Sequence, residues 1–328
     1  MTAPFAAPTV AEIEAAQARL LGRIVATPTL TLNMSRLAST LPEGANIHMK
    51  MELFQQAGSF KARGVLLAID ALSQAEKDAG VTAVSAGNHA LASAWGAADA
   101  GLSAKVVMMK AADPVRIHGC KALGAEVVLA EDVQAAFATV ERLVAEEGRT
   151  MLHPFESPFM TLGAATCGLE LARSRKTLDV AIIPVGGGGL ISGMAPAIKA
   201  IHPNCEIIGV EPFGADAMFQ SFAADAPVQL ASVNTVADSL GAPMSLPGSL
   251  TIAKQYVDRI VRLEDGEMIA MMRKLVDGLK LLAEPACAAS LAAACGPLKE
   301  TLAGKEVAVI ACGSNISIEK FAAITAEG

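Results

Sequence analysis

The chain has 328 residues, 52% of them hydrophobic and 18% charged, with 28 Gly and 16 Pro. That length buries a sizeable core, and the composition fits a compact α/β protein while excluding a disordered or coiled-coil chain. A formal net charge of −7 with no long Lys/Arg cluster leaves no electrostatic footprint for nucleic acid. At the N-terminus, "MTAPFAAPTVAEIEAAQARLL" has neither a basic start nor an unbroken apolar core, so it does not read as a signal peptide. Short β-branched runs then alternate with longer Ala/Leu-rich segments. "VTAVSA" precedes "NHALASAWGAADAG", "AKVVMM" precedes "DPVRIHGCKALG", and "AEVVLA" precedes "DVQAAFATVERLVAEEG". This rhythm over residues near 80 to 155 predicts a parallel sheet with helices on both faces. A second block opens with "VAIIPVGGGG", continues through "EIIGVEP" and returns with "EVAVIACGSN". Two such blocks imply two open sheets, with a ligand in the crevice beyond the carboxyl ends of their strands. Residues 223–249, "AADAPVQLASVNTVADSLGAPMSLPGS", read as a loop-rich segment suited to cover that crevice. The longest apolar runs are too short or too rich in small and polar residues to span a membrane. Six cysteines, at 120, 167, 205, 287, 295 and 312, lack CxxC or Cys/His metal spacing and read as reduced core thiols, which places the chain in the cytoplasm.

Five short stretches carry chemistry. "GSFKARG" sets Lys61 in an apolar, glycine-flanked position where a solvated face would be ordinary. In "VSAGNHA" a strand ends at Ser85 and a helix starts near Gly87, Asn88 and His89; Ser and Asn can simply cap it, but such a turn is also where an α/β protein grips a carboxylate. His89 has no second His or carboxylate at i+3 or i+4 and reads as a packing residue before a metal ligand. "PVGGGGLISG" runs a buried strand through Gly186, Gly187, Gly188 and Gly189 into a helix start, whose free N–H groups form an anion cradle. It fits neither GxGxxG nor the P-loop, and a tight turn would need only one or two of these glycines. "LLAEPACAAS" puts Glu284 before a Pro-initiated helix, where an acid is ordinary. "VIACGSN" ends a strand at Cys312, by itself an ordinary small core residue.

Together, "KMELFQQAGSFKARG", "SAGNHA", "HPFESP", "PVGGGGL", "GVEP", "TVAD", "AEPA" and "ACGSN" resemble, in order and separation, the fold-type II pyridoxal-phosphate enzymes of the serine/threonine dehydratase and serine racemase family, over nearly the whole chain. The resemblance implies a tryptophan synthase β-like α/β fold: two open, mostly parallel sheets covered by helices, with the cofactor between them. Residues 1–66 and 158–328 would form the large cofactor-binding domain and 67–157 the small one, in a homodimer. Lys61 would bind the aldehyde of pyridoxal 5'-phosphate, in a pocket that lowers its pKa, and move the substrate's Cα proton. Phe60 would lie along the ring, Asn88 would bond the ring hydroxyl, and Gly186 to Gly189 with Leu190 would hold the phosphate. Ser85 and the loop of Ala86, Gly87, Asn88 and His89 would take the substrate carboxylate. Cys312 would face the pyridine nitrogen, which a thiol does not readily protonate; the weaker electron sink favours elimination over transamination. Glu284 would border the ring in a supporting role. The implied reaction removes water from a β-hydroxy amino acid, L-threonine or L-serine first, to give a 2-oxo acid and ammonia.

Several positions depart from the family. Serine racemases have a second serine where this chain has Ala86, so the opposite face lacks its proton donor and racemisation ranks low. "FKARG" and "AGNHA" do not match the β-replacement relatives. Some members bind Mg or Ca through a glutamate, a backbone carbonyl and an aspartate; here Glu211 and Ala215 supply two, but Ala217 stands at the third, which makes a divalent cation doubtful. "TLGAAT" and Ser239 alter the expected pocket wall, keeping 3-hydroxyaspartate and phenylserine as alternative substrates, with a non-catalytic amino-acid-binding member as the rival class. The chain ends soon after "CGSN", so no regulatory domain or isoleucine control is expected.

Overall fold

The computed structural model describes residues 5–326. Its ten strands are β1 (Thr29–Thr31), β2 (Asn46–Lys50), β3 (Val81–Val84), β4 (Ala104–Met109), β5 (Glu126–Ala130), β6 (Thr150–Met151), β7 (Val180–Pro184), β8 (Glu206–Pro212), β9 (Arg259–Leu263) and β10 (Glu306–Ile310). Helices α1 (Val10–Leu20), α2 (Lys61–Asp70) and α3 (Gln74–Ala79) precede β3; α4 (Asn88–Asp99), α5 (Pro114–Ala122) and α6 (Val133–Glu147) alternate with the strands that follow. Next come α7 (Pro158–Arg173), α8 (Gly189–Ile201), α9 (Ala217–Ala224) and α10 (Pro247–Tyr256), then α11 (Asp265–Leu279), α12 (Pro285–Cys295) and α13 (Ile318–Ala326).

The strands form a six-stranded sheet, β1-β2-β10-β7-β8-β9, and a four-stranded one, β5-β4-β3-β6. Every pairing is parallel except β1 with β2. All five residues of "VAIIP" in β7 are buried, because helices cover both faces of a central parallel strand. β5, at an edge, buries only Ala130. The strands read from the sequence as apolar runs are β3, β4, β5, β7, β8 and β10. The structure adds β1, β2, β6 and β9, and makes the β1 edge antiparallel.

Lys61 is aimed by the way α2 is held. A Cβ on Gly163 of α7 would lie 2.3 Å from Gly64 N, and one on Gly64 would lie 2.7 Å from Met160 Cα. The two helices therefore touch backbone to backbone, and only glycine permits that approach. Below the crossing, fully buried Arg63 donates to both oxygens of buried Glu52 (2.8 and 2.9 Å) and both of Glu170 (2.7 and 2.8 Å). Lys50 joins through Glu170 (2.7 Å) and Thr27 O (2.8 Å). Removing one partner from such a cluster strands a buried charge, at a typical cost of about 3–5 kcal/mol. The turn before α2 is tied to the end of β10: Ser59 bridges Gly313, Phe60 N donates to Cys312 O (3.2 Å), and Ser314 N donates to Gly58 O (3.0 Å).

Candidate active site

Three strand ends supply the site: β3 runs into Ser85, β7 into Gly186 and β10 into Cys312. Lys61 opens α2 and is partly buried, its ammonium 5.0 Å from the centre of the Phe60 ring and donating to Pro154 O. Burial disfavours the charged amine and lowers its pKa from 10.5 to about 8, against a smaller opposing effect of Cys312. A substantial share of this lysine is therefore a neutral nucleophile near physiological pH.

The turn after β7 enters α8 through Gly188, whose φ of +88° suits glycine alone. A Cβ on Gly187 would fall 2.3 Å from the Phe155 ring, so that ring lies flat on the loop's backbone. Among the described residues, no protein oxygen accepts from the N–H groups of Gly187, Gly188, Gly189 or Leu190. The turn after β3 is similar. Gly87 N donates to Ser85 Oγ (3.1 Å), while the N–H groups of Ala86, Asn88 and His89 have no protein acceptor among the described residues. Two sets of unpaired amides, each at a helix N-terminus, make two anion subsites.

Asn88 is held on both sides of its amide. Its Nδ2 donates to Glu284 Oε1 (2.6 Å) and Ser239 Oγ (3.3 Å), and its Oδ1 accepts from Asn315 Nδ2 (2.7 Å). Glu284 is fully buried, and desolvation raises its pKa against the pull of Arg116. Burial pushes the Cys312 thiol well above its usual range, so it is a neutral group. His89 donates from Nε2 to Leu152 O (2.7 Å), which leaves Nδ1 a bare, unpartnered lone pair. Burial takes its pKa to about 3, so the ring is a neutral packing group and only its backbone N–H can serve a carboxylate.

The segment 223–249 does cover this region. Gly186 packs on Ser239 and Leu240, a Cβ there meeting Leu240 Cα at 3.1 Å. Glu156 Oε1 accepts from Gly248 N (2.6 Å) and Oε2 from Ser249 N (3.1 Å), clamping the start of α10 to "HPFESP". Sequence reasoning missed Glu156, Arg116 and Asp238. Glu156 and Asp238 lie inside the quoted strings "HPFESP" and "TVAD", but their roles, like that of Arg116, come from partners more than ninety positions away.

The cation site that Glu211 and Ala215 left in doubt gains no support from the geometry, because the side chains there are engaged otherwise. Glu211 Oε1 accepts from Met218 N (2.9 Å) and Oε2 from Phe219 N (2.7 Å), and burial pushes its carboxyl up to about 8. Asp216 is paired instead with Arg262 Nη1 (2.9 Å) and Gln220 Nε2 (2.7 Å), and buried Ala217 offers no side-chain ligand. Among the described residues no group of three or more His, Cys, Asp or Glu could hold a metal.

A part-buried lysine of lowered pKa beside the Phe60 ring, together with two unpaired amide loops at strand ends, suits an aldehyde-bearing phosphate cofactor and an anionic substrate. Residues 23–313 match the family model described as pyridoxal-phosphate dependent enzyme, and the chain belongs to that family, with fold type II architecture. It is 48% identical over 279 residues to the phenylserine dehydratase of Ralstonia pickettii, covering 85% of this chain and 86% of that protein. It is 35% identical over 288 residues to the L-threonine ammonia-lyase of Thermotoga maritima, covering 87% and 71%. The structure of maize serine racemase superposes with a TM-score of 0.89 at 32% identity, over 96% of this chain and 95% of that one. The residues present fit pyridoxal phosphate: unpaired amides at the start of α8 suit a phosphate dianion, and a partly neutral Lys61 suits an aldehyde.

Proposed function

We propose that the chain is a pyridoxal-phosphate-dependent ammonia-lyase that removes water from a β-hydroxy amino acid with an apolar side chain, phenylserine ahead of threonine and serine. The carrying observation is the joining of a near-neutral Lys61 to a carboxylate loop around which the cations are already engaged. Arg116 uses all its donors on protein oxygens, and Lys320 pairs with Asp238 (2.8 Å). A second carboxylate on the substrate would lie unpaired, which disfavours 3-hydroxyaspartate. The 48% identity to a phenylserine dehydratase supports an aromatic side chain.

In this reading Gly187 to Leu190 hold the phosphate, with Phe60 and Cys312 beside the ring, and Asn88 Nδ2 gives up its long contact to Ser239 (3.3 Å) to donate to the ring hydroxyl while keeping Glu284 (2.6 Å). Bound there, the cofactor supplies an electron sink that acidifies the substrate's Cα–H. The amides of Ala86, Asn88 and His89, with Ser85, bind the substrate carboxylate. Lys61 Nζ takes the Cα proton, a proton returned to the departing β-hydroxyl lets it leave as water, and the released enamine tautomerises and is hydrolysed to the 2-oxo acid and ammonia. Racemisation ranks below elimination because Ala86 offers no proton on the face away from Lys61.

The strands of the smaller sheet all come from residues 81–151, which supports domain boundaries near 66 and 158. Exposed Leu21, Leu30, Met34 and Phe54 suit a homodimer contact, to be checked by light scattering on the eluting protein. The six free thiols fit a cytoplasmic enzyme, and no described helix is long and apolar enough to cross a membrane.

The test is release of 2-oxo acid and ammonia from purified, cofactor-loaded protein given phenylserine, threonine, serine and 3-hydroxyaspartate. Equal amounts of both products, with phenylserine giving the largest kcat/KM and 3-hydroxyaspartate none, are expected. Lys61→Ala should abolish turnover. Silence across the panel from protein with bound cofactor would favour a binding member, and a preference for 3-hydroxyaspartate would overturn the charge argument.

A further inference from the structure

Arg116 sits on α5, on the side of the smaller sheet, and is only 2% exposed. A guanidinium has five N–H groups in a rigid planar fork. Here all five have acceptors. Nε donates to Asn315 O (2.6 Å); Nη1 to Ala86 O (3.3 Å) and Asp238 Oδ2 (2.8 Å); Nη2 to Asp238 Oδ1 (3.2 Å) and Glu284 Oε2 (3.3 Å).

These acceptors are the supports of the site. Asn315 and Glu284 grip the two ends of the Asn88 amide, and Ser239, which follows Asp238, takes its remaining hydrogen. All three partners of the Asn88 side chain are therefore bonded to Arg116 or adjoin a residue that is. Ala86 O is the fourth support. A trans peptide is planar, so a carbonyl drawn toward Arg116 turns the Gly87 N–H the opposite way, where it meets Ser85 Oγ.

We infer that Arg116 is the positioning residue of this site: one guanidinium, reaching across from the smaller sheet, fixes both the carboxylate loop at Ala86–Gly87 and the orientation of Asn88 toward the cofactor ring. It touches neither substrate nor cofactor and has no spare donor to do so. The assignment rests on the reading of these residues under the proposed function. It adds that substrate-carboxylate affinity and the electronic state of the bound ring depend on the same side chain. Lysine keeps the charge but offers its three donors from one tetrahedral nitrogen, which cannot bridge acceptors spread over a planar fork.

The experiment compares wild type with Arg116→Lys, Arg116→Ala and Asp238→Asn. It measures KM and kcat, the absorbance spectrum of the bound cofactor without substrate, and recovery on adding guanidinium ion. Expected for Arg116→Lys is a rise in KM of about tenfold, the size of a lost charge-assisted hydrogen bond, with a smaller change in kcat. The cofactor spectrum should shift in the same variant, and guanidinium should restore part of the affinity of Arg116→Ala. Should Arg116→Ala not fold, Asp238→Asn is expected to raise KM in the same direction. Variants that lower only the melting temperature, with KM and cofactor spectrum at wild-type values, would assign Arg116 a purely structural role and overturn the inference. The spectrum is read without substrate, so a wrong substrate class would leave that arm standing, whereas an unshifted spectrum counts against Arg116 itself.

Discussion

Lys61 shows how far one side chain's environment sets chemistry. With a pKa of about 8, about a tenth of it is neutral at pH 7, against well under one part in a thousand for a lysine at 10.5. Only the neutral amine attacks an aldehyde. The rate at which cofactor-free protein takes up pyridoxal phosphate should therefore climb with pH and level off just above 8. Stopped-flow absorbance between pH 6.5 and 10 checks this, and a rate still climbing at pH 10 would mean that the amine is not desolvated. The linked effect on stability has a definite sign. A depressed pKa means that the unfolded chain binds more protons between about 8 and 10.5, so this group favours the fold increasingly as pH rises through that window. Lys61, Asn88 and the glycine loop stood out as candidates because each lies in a contiguous string, and the resemblance of those strings to one family supplied their roles. Arg116 did not. "DPVRIHG" reads as an ordinary capped helix start, and its meaning comes from acceptors at 86, 238, 284 and 315.

Among the elements, α2 and α7 decide where Lys61 points, and their contact rests on Gly64 and Gly163. Gly163→Ala should force the helices apart, lowering stability by about 1–3 kcal/mol, the usual cost of overpacking. It should also slow cofactor uptake, because α2 carries Lys61. Gly266→Ala in the first turn of α11 is the control: nothing lies within 4 Å of the added carbon, and the better helix former should be neutral or stabilising by up to about 1 kcal/mol. Thermal unfolding of the two variants separates crowding from propensity; equal melting temperatures would show that α2 and α7 are not in backbone contact. The central strands were readable as unbroken apolar runs, since a strand buried on both faces has no polar side to show. β2 and β9 were not, for a physical reason. β2 carries His48 and Lys50, buried yet matched by Glu306 (2.7 Å) and Glu170 (2.7 Å), and β9 carries Arg259 and Arg262. Charges satisfied by distant partners make a strand look like a loop in the sequence. The glycine crossing was hidden in the same way, because a glycine within a helical pattern does not say which helix it meets.

For the whole molecule, the remaining question is which small partners its native state recruits, since anything that binds only the folded form raises the melting temperature. Pyridoxal phosphate should do so: in the proposed reading its phosphate is held by the turn after β7 of the six-stranded sheet and the substrate carboxylate by the turn after β3 of the four-stranded sheet. At a hundred times its dissociation constant, a ligand adds about 2.7 kcal/mol. A divalent cation should add nothing, because an internal cation holds the ground beside Glu211. Arg262 is the direct partner of Glu211 across β8 and β9, and it donates to Asp216 Oδ2 at 2.9 Å. Its guanidinium stacks 4.4 Å from the Phe213 ring and 3.9 Å from that of Phe219. A second, divalent charge placed there would meet the guanidinium's repulsion and a glutamate whose oxygens are already taken by backbone amides. Chelator treatment should therefore leave the melting temperature and turnover unchanged, and added Mg or Ca should restore or raise neither, while removal of the cofactor lowers the melting temperature. Loss of stability in chelator, recovered with calcium, would mean that Arg262 swings away and a metal does bind. In that case Arg262→Thr should strengthen the response to calcium; if no metal binds, the variant should create none, because the Glu211 oxygens stay on the amides of Met218 and Phe219.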